Sequence, residues 1–366
     1  SGFMIDLPHD LASDDYAGGG DEAALISLNR QAIYFARQAA DEYDIDTAFV
    51  DPSGKVNGAA SATADAHNRS YGKHLSQLGE ASEMLDAKTM AELTGSDHYV
   101  SGLYTPGTVL LQPAGYIRGL VRGLACAGVA IHPRSAVLGF ERIGETWRVQ
   151  TKHGSVTAPK IILATNGHIE SFGIARGQLM QIFLFASMTP ELDIEQLRLL
   201  GGAPRWGVTP SDPMGTTVRR IDTAQGGNRI VTRTYAKMRP NMEAHPRDMK
   251  RASALQSQKF TARFPKLAGM KMEYEWAGHL CLSRNGVAVT GEIDKGVFTA
   301  AVQNGLGTAR GTLTGIAAAE MALGHVSTVT KYFDAEEQPK KLPPKPFSTW
   351  GANAYLRWKE HRARAE

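Results

Sequence analysis

Five residues near the end of the chain, Asn304-Gly305-Leu306-Gly307-Thr308, could hold an anion with backbone alone. They follow an apolar, β-prone run, Val297-Phe298-Thr299-Ala300-Ala301-Val302, and lead into an alanine-rich helical pattern that includes Ala317-Ala318-Ala319. A strand that breaks at a glycine-rich turn delivers a helix N-terminus beside bare backbone. Free N–H groups and the positive end of the helix dipole favour negative charge there. The glycine spacing differs from the usual dinucleotide fingerprint, so a ligand cradle and a plain strand-to-helix turn are equal readings of this segment alone.

Upstream stand Glu275-Trp276-Ala277-Gly278-His279-Leu280, then Ser283-Arg284-Asn285-Gly286-Val287-Ala288-Val289-Thr290-Gly291, and earlier Ile161-Ile162-Leu163-Ala164-Thr165-Asn166-Gly167-His168. In this order the segments resemble the D-amino-acid-oxidase family of FAD-dependent oxidoreductases, and within it the gamma-glutamylputrescine-oxidase-like branch. The start, Ser1-Gly2-Phe3-Met4-Ile5-Asp6, and the tail, Trp350-Gly351-Ala352-Asn353-Ala354-Tyr355-Leu356-Arg357-Trp358, resemble that branch too. Members of the family open with a strand, a Gly-x-Gly-x-x-Gly turn and a helix that holds the FAD pyrophosphate. This chain begins after that unit, and Gly18-Gly19-Gly20, flanked by Asp14, Asp15, Asp21 and Glu22, does not replace it because acidic residues repel phosphate. About fifty to sixty residues, from the ~30-residue size of such a unit and the loop after it, are expected either in a longer version of this chain or in a second polypeptide.

The resemblance implies an α/β fold with mixed α+β character: an N-terminally incomplete, glutathione-reductase-like FAD-binding domain and an antiparallel-sheet substrate domain. The FAD-binding parts are expected at residues 1–45, 105–176 and 277–330, the substrate domain at 46–104 and 177–276, and a linker with a tail at 331–366. It implies non-covalent FAD, because Gly278 stands where some relatives attach flavin through cysteine and Cys281 is displaced. Cofactor contacts are expected from Ser1, Gly2, Val137, Thr165, Asn166, Gly167, Gly278, Asn304, Gly305, Leu306, Gly307 and Thr308, with Val137 offering backbone to the adenine.

The implied reaction is oxidation of a CH-NH or CH-NH2 bond by hydride transfer to flavin N5, followed by hydrolysis of the imine, with oxygen or another acceptor as oxidant. A glycine-oxidase-like member would fork the substrate carboxylate with two arginines; Leu280 and Gly305 stand at those places. An amine, or a substrate with a distant carboxylate, is therefore preferred over a small α-amino acid. Arg220 or Arg233 could reach the distant group, or either could be a strand-surface arginine. His279 could position substrate or be a satisfied structural histidine, and Trp276 could wall the flavin or fill a core. A sarcosine-oxidase-like secondary-amine oxidase and a non-catalytic subunit completed by a partner are the alternatives.

The elements that must position these residues are legible in part. Asp21 to Tyr43 reads as one helix with Leu25, Leu28, Ala32, Phe35, Ala36, Ala39 and Tyr43 on a stripe. Gly115 to Ala127 reads as a second helix, Val129–His132 and Ala136–Leu138 as short strands, and Thr146–Thr151 with its Lys152-His153-Gly154-Ser155 turn as a hairpin. Ile161–Ala164 reads as a strand buried on both faces. Ile182–Phe185, Thr216–Ile221 and Arg229–Arg233 read as strands, the last two joined at Gly226-Gly227-Asn228. Met242 to Phe264 reads as a polar, peripheral helix.

Composition narrows the class. A chain of 366 residues with 42% hydrophobic residues can build two interleaved domains. A net charge of +3 with scattered basic residues gives nucleic-acid binding little support, and Arg357, Lys359, Arg362 and Arg364 read as a solvated helix face. Two cysteines outside any Cys-x-x-Cys pair suggest neither a disulfide framework nor a thiolate metal site, so a reducing cytoplasm is the expected setting. No apolar run has the ~20 residues of a membrane span.

Overall fold

A computed structural model describes residues 2–7, 21–305 and 307–366, so the expectations for Ser1, Leu306 and the Gly18–Gly20 turn lie outside the described residues. The largest element is an eight-stranded sheet. Its spatial order is Tyr274–Ser283, Leu179–Met188, Arg229–Met238, Thr217–Ile221, Trp206–Pro210, Lys55–Ala59, Ser101–Thr105 and Glu83–Asp86. Every neighbouring pair is antiparallel except Trp206–Pro210 with Lys55–Ala59.

Helix Pro246–Arg263 lies across one face of this sheet. It starts four residues later than the sequence suggests, at a proline in the first turn, with His245 accepting from Arg247 N–H and Asp248 near the positive end of the dipole. It is not peripheral. Phe260 and the following Phe264 pack with Trp206, Val208, Val218 and Ile230 in a buried cluster, and Arg263 is buried with its guanidinium over the Tyr99 ring. The polar average of the helix hides this, because its exposed face outweighs a narrow aromatic one.

A second cluster joins four helices, one of them the short Thr328–Asp334, which adds Val329 and Phe333. Glu22–Glu42, capped by Asp21 accepting from Ala24 N–H at 2.9 Å, buries Leu28, Ala32, Ile33 and Ala36 against Ala309, Leu313 and Ala317 of helix Gly307–Leu323. Helix Pro113–Cys126 closes it with Tyr116. Phe35, expected on the buried stripe, is half exposed and borders the cavity described below. The short strand Phe3–Met4 pairs antiparallel with Val109–Leu111, which brings the chain start alongside the Gly307–Leu323 helix.

The third sheet positions the site. Ile161–Leu163 runs parallel to Val297–Ala301, which pairs antiparallel with Val289–Asp294. The Val137–Ile143, Thr146–Thr151, Gly154–Ala158 meander contains the expected hairpin and is tied to this sheet by Trp147 Nε1–H donating to Lys295 O at 3.1 Å.

Three expectations fail here. Ile162 is 42% exposed, so this strand is covered on one face only. Val129–His132 forms no strand: a strand needs a neighbour for its N–H and C=O groups, and among the described residues none pairs with it. In the tail helix Phe347–Arg362, Lys359 is buried rather than solvated, and Ala352 and Leu356 pack against Ile182, Met238 and Leu280.

Phe260→Ala is expected to cost about 3–5 kcal/mol by leaving a cavity in the aromatic cluster. Tyr34→Ala, at a position 64% exposed, should cost about 0.5 kcal/mol or less. Equilibrium urea unfolding of the two variants checks the contrast.

Candidate active site

The parallel strands Ile161–Leu163 and Val297–Ala301 end at the same edge, where open α/β sheets bind ligands. Both exits turn sharply. Asn166 (φ 48°), Val302 (φ 66°), Asn304 (φ 51°), Gly305 (φ 75°) and Gly307 (φ 56°) all have left-handed backbone. Val302 is the costly one, since a β-branched residue with positive φ is strained by about 1–3 kcal/mol.

The strain is held by side-chain amides. Asn166 Oδ1 accepts from Val302 N–H at 3.2 Å, joining the two exits directly. Asn304 Nδ2 donates to Val287 O at 2.7 Å and Val302 O at 3.2 Å, and its Oδ1 accepts from Ser283 N–H at 2.8 Å, while the Ser283 hydroxyl donates to Val287 O at 2.7 Å. Asn304 thus spends its hydrogen-bonding capacity on the turn; only its main chain is left for a ligand.

Helix Gly307–Leu323 starts at this turn, and Thr308 Oγ1–H donates to Phe3 O at 3.2 Å. The helix start opens into a cavity of about 870 Å³ whose wall includes Asn166, Gly305, Gly307, Thr308, Gln303 and His279. Met4, Leu111, Tyr116, Leu120, Leu184, Leu280 and Ile316 make the rest of the wall largely apolar. The volume lies within the ~300–1,000 Å³ of small-molecule and cofactor sites. Beside the same edge, Thr165 Oγ1 is buried without a hydrogen-bond partner among the described residues. An orphaned hydroxyl, a helix N-terminus with glycines and an apolar cavity suit a long, partly anionic, partly aromatic cofactor such as FAD.

His279 stands on the edge strand Tyr274–Ser283, opposite Phe183. Its Nε2 lies 2.9 Å from Gln181 Oε1, and the His168 ring is 5.9 Å away. Burial, and then the neighbouring His168, push the His279 pKa below the ordinary histidine value. Gly167 makes room for this contact: a Cβ there would meet Gln181 Oε1 at 2.3 Å and His279 Cε1 at 2.7 Å. Gln181 escaped the sequence reading. The signal available was a lone amide inside the apolar run Leu179-Met180-Gln181-Ile182-Phe183.

The remaining expected residues fall elsewhere. Gly2 (φ 78°) has its carbonyl accepting from Leu111 N–H at 2.7 Å, and a Cβ would meet Leu111 O at 2.2 Å. Val137 begins the outer strand of the meander, outside the cavity wall, and Gly278 faces open space opposite Leu184.

Arg220 points away from the cavity. It pairs in register with Ile230, on the face covered by helix Pro246–Arg263, and its guanidinium donates to Gly201 O. Arg233 is on the other face, between Thr217 and Ala186 in register. Its Nη2–H donates to Thr217 Oγ1 at 2.7 Å, it has no ion pair among the described residues, and burial pushes its pKa down to about 10. Trp276 is exposed and not part of the cavity wall. Cys281 is buried, with its thiol pushed up to about 12 by burial and then by Glu170, so it offers no ready thiolate.

Gly167→Ala is expected to cost about 1–3 kcal/mol through overpacking against Gln181 and His279, read as a lower urea midpoint together with a shifted His279 imidazole resonance. A variant with both unchanged would contradict the close approach.

Comparison with known proteins agrees in family and fold. Residues 6–321 match the family described as FAD dependent oxidoreductase (DAO). The chain is 26% identical over 308 residues to a probable oxidoreductase OrdL of Rhizobium meliloti (strain 1021), covering 82% of this chain and 67% of that protein. It is 25% identical over 251 residues to a probable oxidoreductase OrdL of Haemophilus influenzae, covering 66% of this chain and 54% of that one, so it spans only about half to two thirds of these relatives. The structure resembles glycine oxidase from Geobacillus kaustophilus with a TM-score of 0.71 at 16% identity, covering 89% of this chain and 84% of that one; at that identity the likeness is one of fold. With a match over most of its length, the chain belongs to the DAO family of FAD-dependent oxidoreductases.

Proposed function

We propose that this chain oxidises an amine at a CH-NH or CH-NH2 bond, with FAD held non-covalently at the edge formed by Thr165–Gly167 and Gly305–Thr308. The observation that carries the reading is the convergence of a strained turn, a helix N-terminus and an apolar cavity at one strand edge. FAD, when bound, supplies the hydride acceptor, and the imine product is hydrolysed by water, with oxygen or another acceptor restoring the cofactor.

The protein's part is placement and charge. Main-chain N–H groups at Gly307 and Thr308, with the helix dipole behind them, offer positive potential where negative charge develops. Leu184 and Leu280 give the cavity an apolar wall, and a low-dielectric wall strengthens that potential. In this reading Val137, outside the cavity wall, offers backbone to the adenine, and Gly2 is a further cofactor contact. Residues 1–45, 105–176 and 277–330 form the cofactor side, 46–104 and 177–276 the substrate side, and 331–366 the tail.

The substrate class follows from the charges available. Leu280 and Gly305 cannot fork a carboxylate next to the amine. Arg233, without a carboxylate partner on the sheet face opposite helix Pro246–Arg263, suits a carboxylate distant from the reacting carbon. That combination favours a gamma-glutamylputrescine-oxidase-like or secondary-amine substrate over a small α-amino acid.

A second reading concerns completeness. Val129, Ile131, Leu138, Ile162 and Leu323 are large apolar side chains left exposed, an arrangement that favours cover by a further strand and helix carrying the dinucleotide fingerprint, from the same or a second polypeptide.

Anaerobic mixing of the flavin-loaded protein with a substrate panel tests the function. Amines with a remote carboxylate should bleach the visible flavin band faster than α-amino acids. Arg233→Gln should lower kcat/KM for the carboxylated amines by about 10- to 100-fold, the ~1.5–3 kcal/mol of a charge-assisted hydrogen bond, and spare neutral amines. Best activity on small α-amino acids, or equal loss for both amine classes, would sink the proposal.

A further inference from the structure

The tail helix Phe347–Arg362 is apolar on two opposite sides. Its inward side, with Ala352 and Leu356, packs on Ile182, Met238 and Leu280. At about 3.6 residues per turn, Phe347, Trp350, Ala354, Tyr355 and Trp358 fall on the outward side, and the four aromatic side chains among them are 49–66% exposed. They are not scattered: Phe347 meets Trp350 edge-on with ring centroids 6.1 Å apart, and Tyr355 lies 5.8 Å from Trp358. A surface helix bathed in water carries polar residues on this side.

The charges beside the aromatic face have one sign. The sole carboxylate of the helix, Glu360, is turned to Arg251, 2.8 Å from its Nη2. Arg362 lies over the Trp358 ring, 5.0 Å from its centroid, and Lys341 and Lys345 are exposed just before the helix. A pocket of about 420 Å³, between this helix and Pro246–Arg263, is lined by Arg251, Lys259, Arg357, His361 and Arg364. Arg357 and His361 are surface neighbours of Ala354 and Trp358 at i+3, so the pocket adjoins the aromatic face. Neither Arg357 nor Arg364 has a carboxylate partner among the described residues. Burial, and then Arg263, push the Lys259 pKa down to about 8, the direction expected of a cation with little negative charge around it.

The size of the face argues against a protein partner. A helix of 16 residues is about 24 Å long and about 10–12 Å across, which gives its outward side roughly 250 Å², against ~800 Å² per partner in a stable protein interface. A helix lying in the headgroup region of a bilayer needs only its own apolar side, and aromatic rings flanked by Lys and Arg suit that boundary.

We propose that the outward face of helix Phe347–Arg362, with the basic pocket beside it, docks this chain on an anionic lipid surface, the aromatic side chains entering the headgroup region and Arg357 and Arg364 facing lipid phosphates. The inward side of the same helix packs on Leu280, which also lines the cofactor cavity, so docking would hold that wall about one helix diameter, ~10–12 Å, from the lipid.

The test is flotation of the whole chain with phosphatidylcholine vesicles prepared with and without phosphatidylglycerol, while tryptophan emission is followed. Binding and a blue shift are expected only with the anionic lipid, and high salt should release the protein. Arg357→Gln with Arg364→Gln should weaken binding by about 30-fold, and Trp350→Ser with Trp358→Ser by about tenfold or more. All four side chains are exposed, so equal urea midpoints should show both variants folded; if either does not fold, the lipid contrast and the salt release in the parent still decide. Equal binding to both vesicle types, binding to neither, or unchanged binding in both folded variants would overturn the proposal. A concentration-dependent dimer that the tryptophan variant abolishes, without vesicle binding, would give the face to a second copy instead. A response to inorganic phosphate without vesicle binding would reduce the pocket to a site for free anions, and the proposal would fall.

Discussion

The site depends on one hydrogen bond between two strand exits, Asn166 Oδ1 accepting from Val302 N–H at 3.2 Å. Each partner has left-handed backbone, and Val302 pays steric strain for it. The three hydrogen bonds of the Asn304 side chain fix the next bend, so the chain leaves the sheet in a tight arc and starts helix Gly307–Leu323 beside the cavity. Were the exits independent, Val302 would relax to extended backbone and the helix start would move from the strand edge. A strained turn held by buried amides is a rigid way to aim main-chain N–H groups, and rigidity is what electrostatic stabilisation of developing charge requires.

The second constraint is strand parity in the eight-stranded sheet. One face carries Ile230 and Val218 against helix Pro246–Arg263, and Arg220 goes with them. The other carries Arg233, and beyond the irregular Tyr235 (φ 70°) it continues through Ala236 and Met238, packed with Leu184 and Leu280 that reach the cavity wall. Strand parity separates Arg220, tied to Gly201 O on the helix-covered face, from Arg233 on the opposite face. His279, on the edge strand, is linked through Gln181 to Gly167, so the sheet and the turn share one hydrogen-bonded network.

What could be read from sequence was what depends on neighbours along the chain. The Asp21 cap, the glycine turn before the alanine-rich helix and the Thr146–Thr151 hairpin are local patterns, and the structure contains all three. What failed depends on partners far away. Arg220 and Arg233 are indistinguishable until the register with Thr217–Ile221 and Leu179–Met188 is known. Gln181 meets His279 across 98 residues of sequence. Val129–His132 has strand-forming residues but no neighbour, and the tail helix uses Lys359 as a buried residue despite its basic surroundings. The family resemblance supplied the cofactor, which no spacing in the glycine turn could have specified.

The most direct measurement is FAD retention by the parent chain and by Gly307→Asp. Aspartate tolerates positive φ better than most residues and is favoured at a helix N-terminus, so the fold should be kept while a negative charge is placed where the cofactor's own is expected. The account predicts FAD retained by the parent and released free on denaturation, with affinity at least about tenfold weaker in the variant, a loss of ~1.4 kcal/mol, while the variant still unfolds cooperatively. Equal retention by both proteins, or flavin still attached after denaturation, would contradict a non-covalent site at this turn.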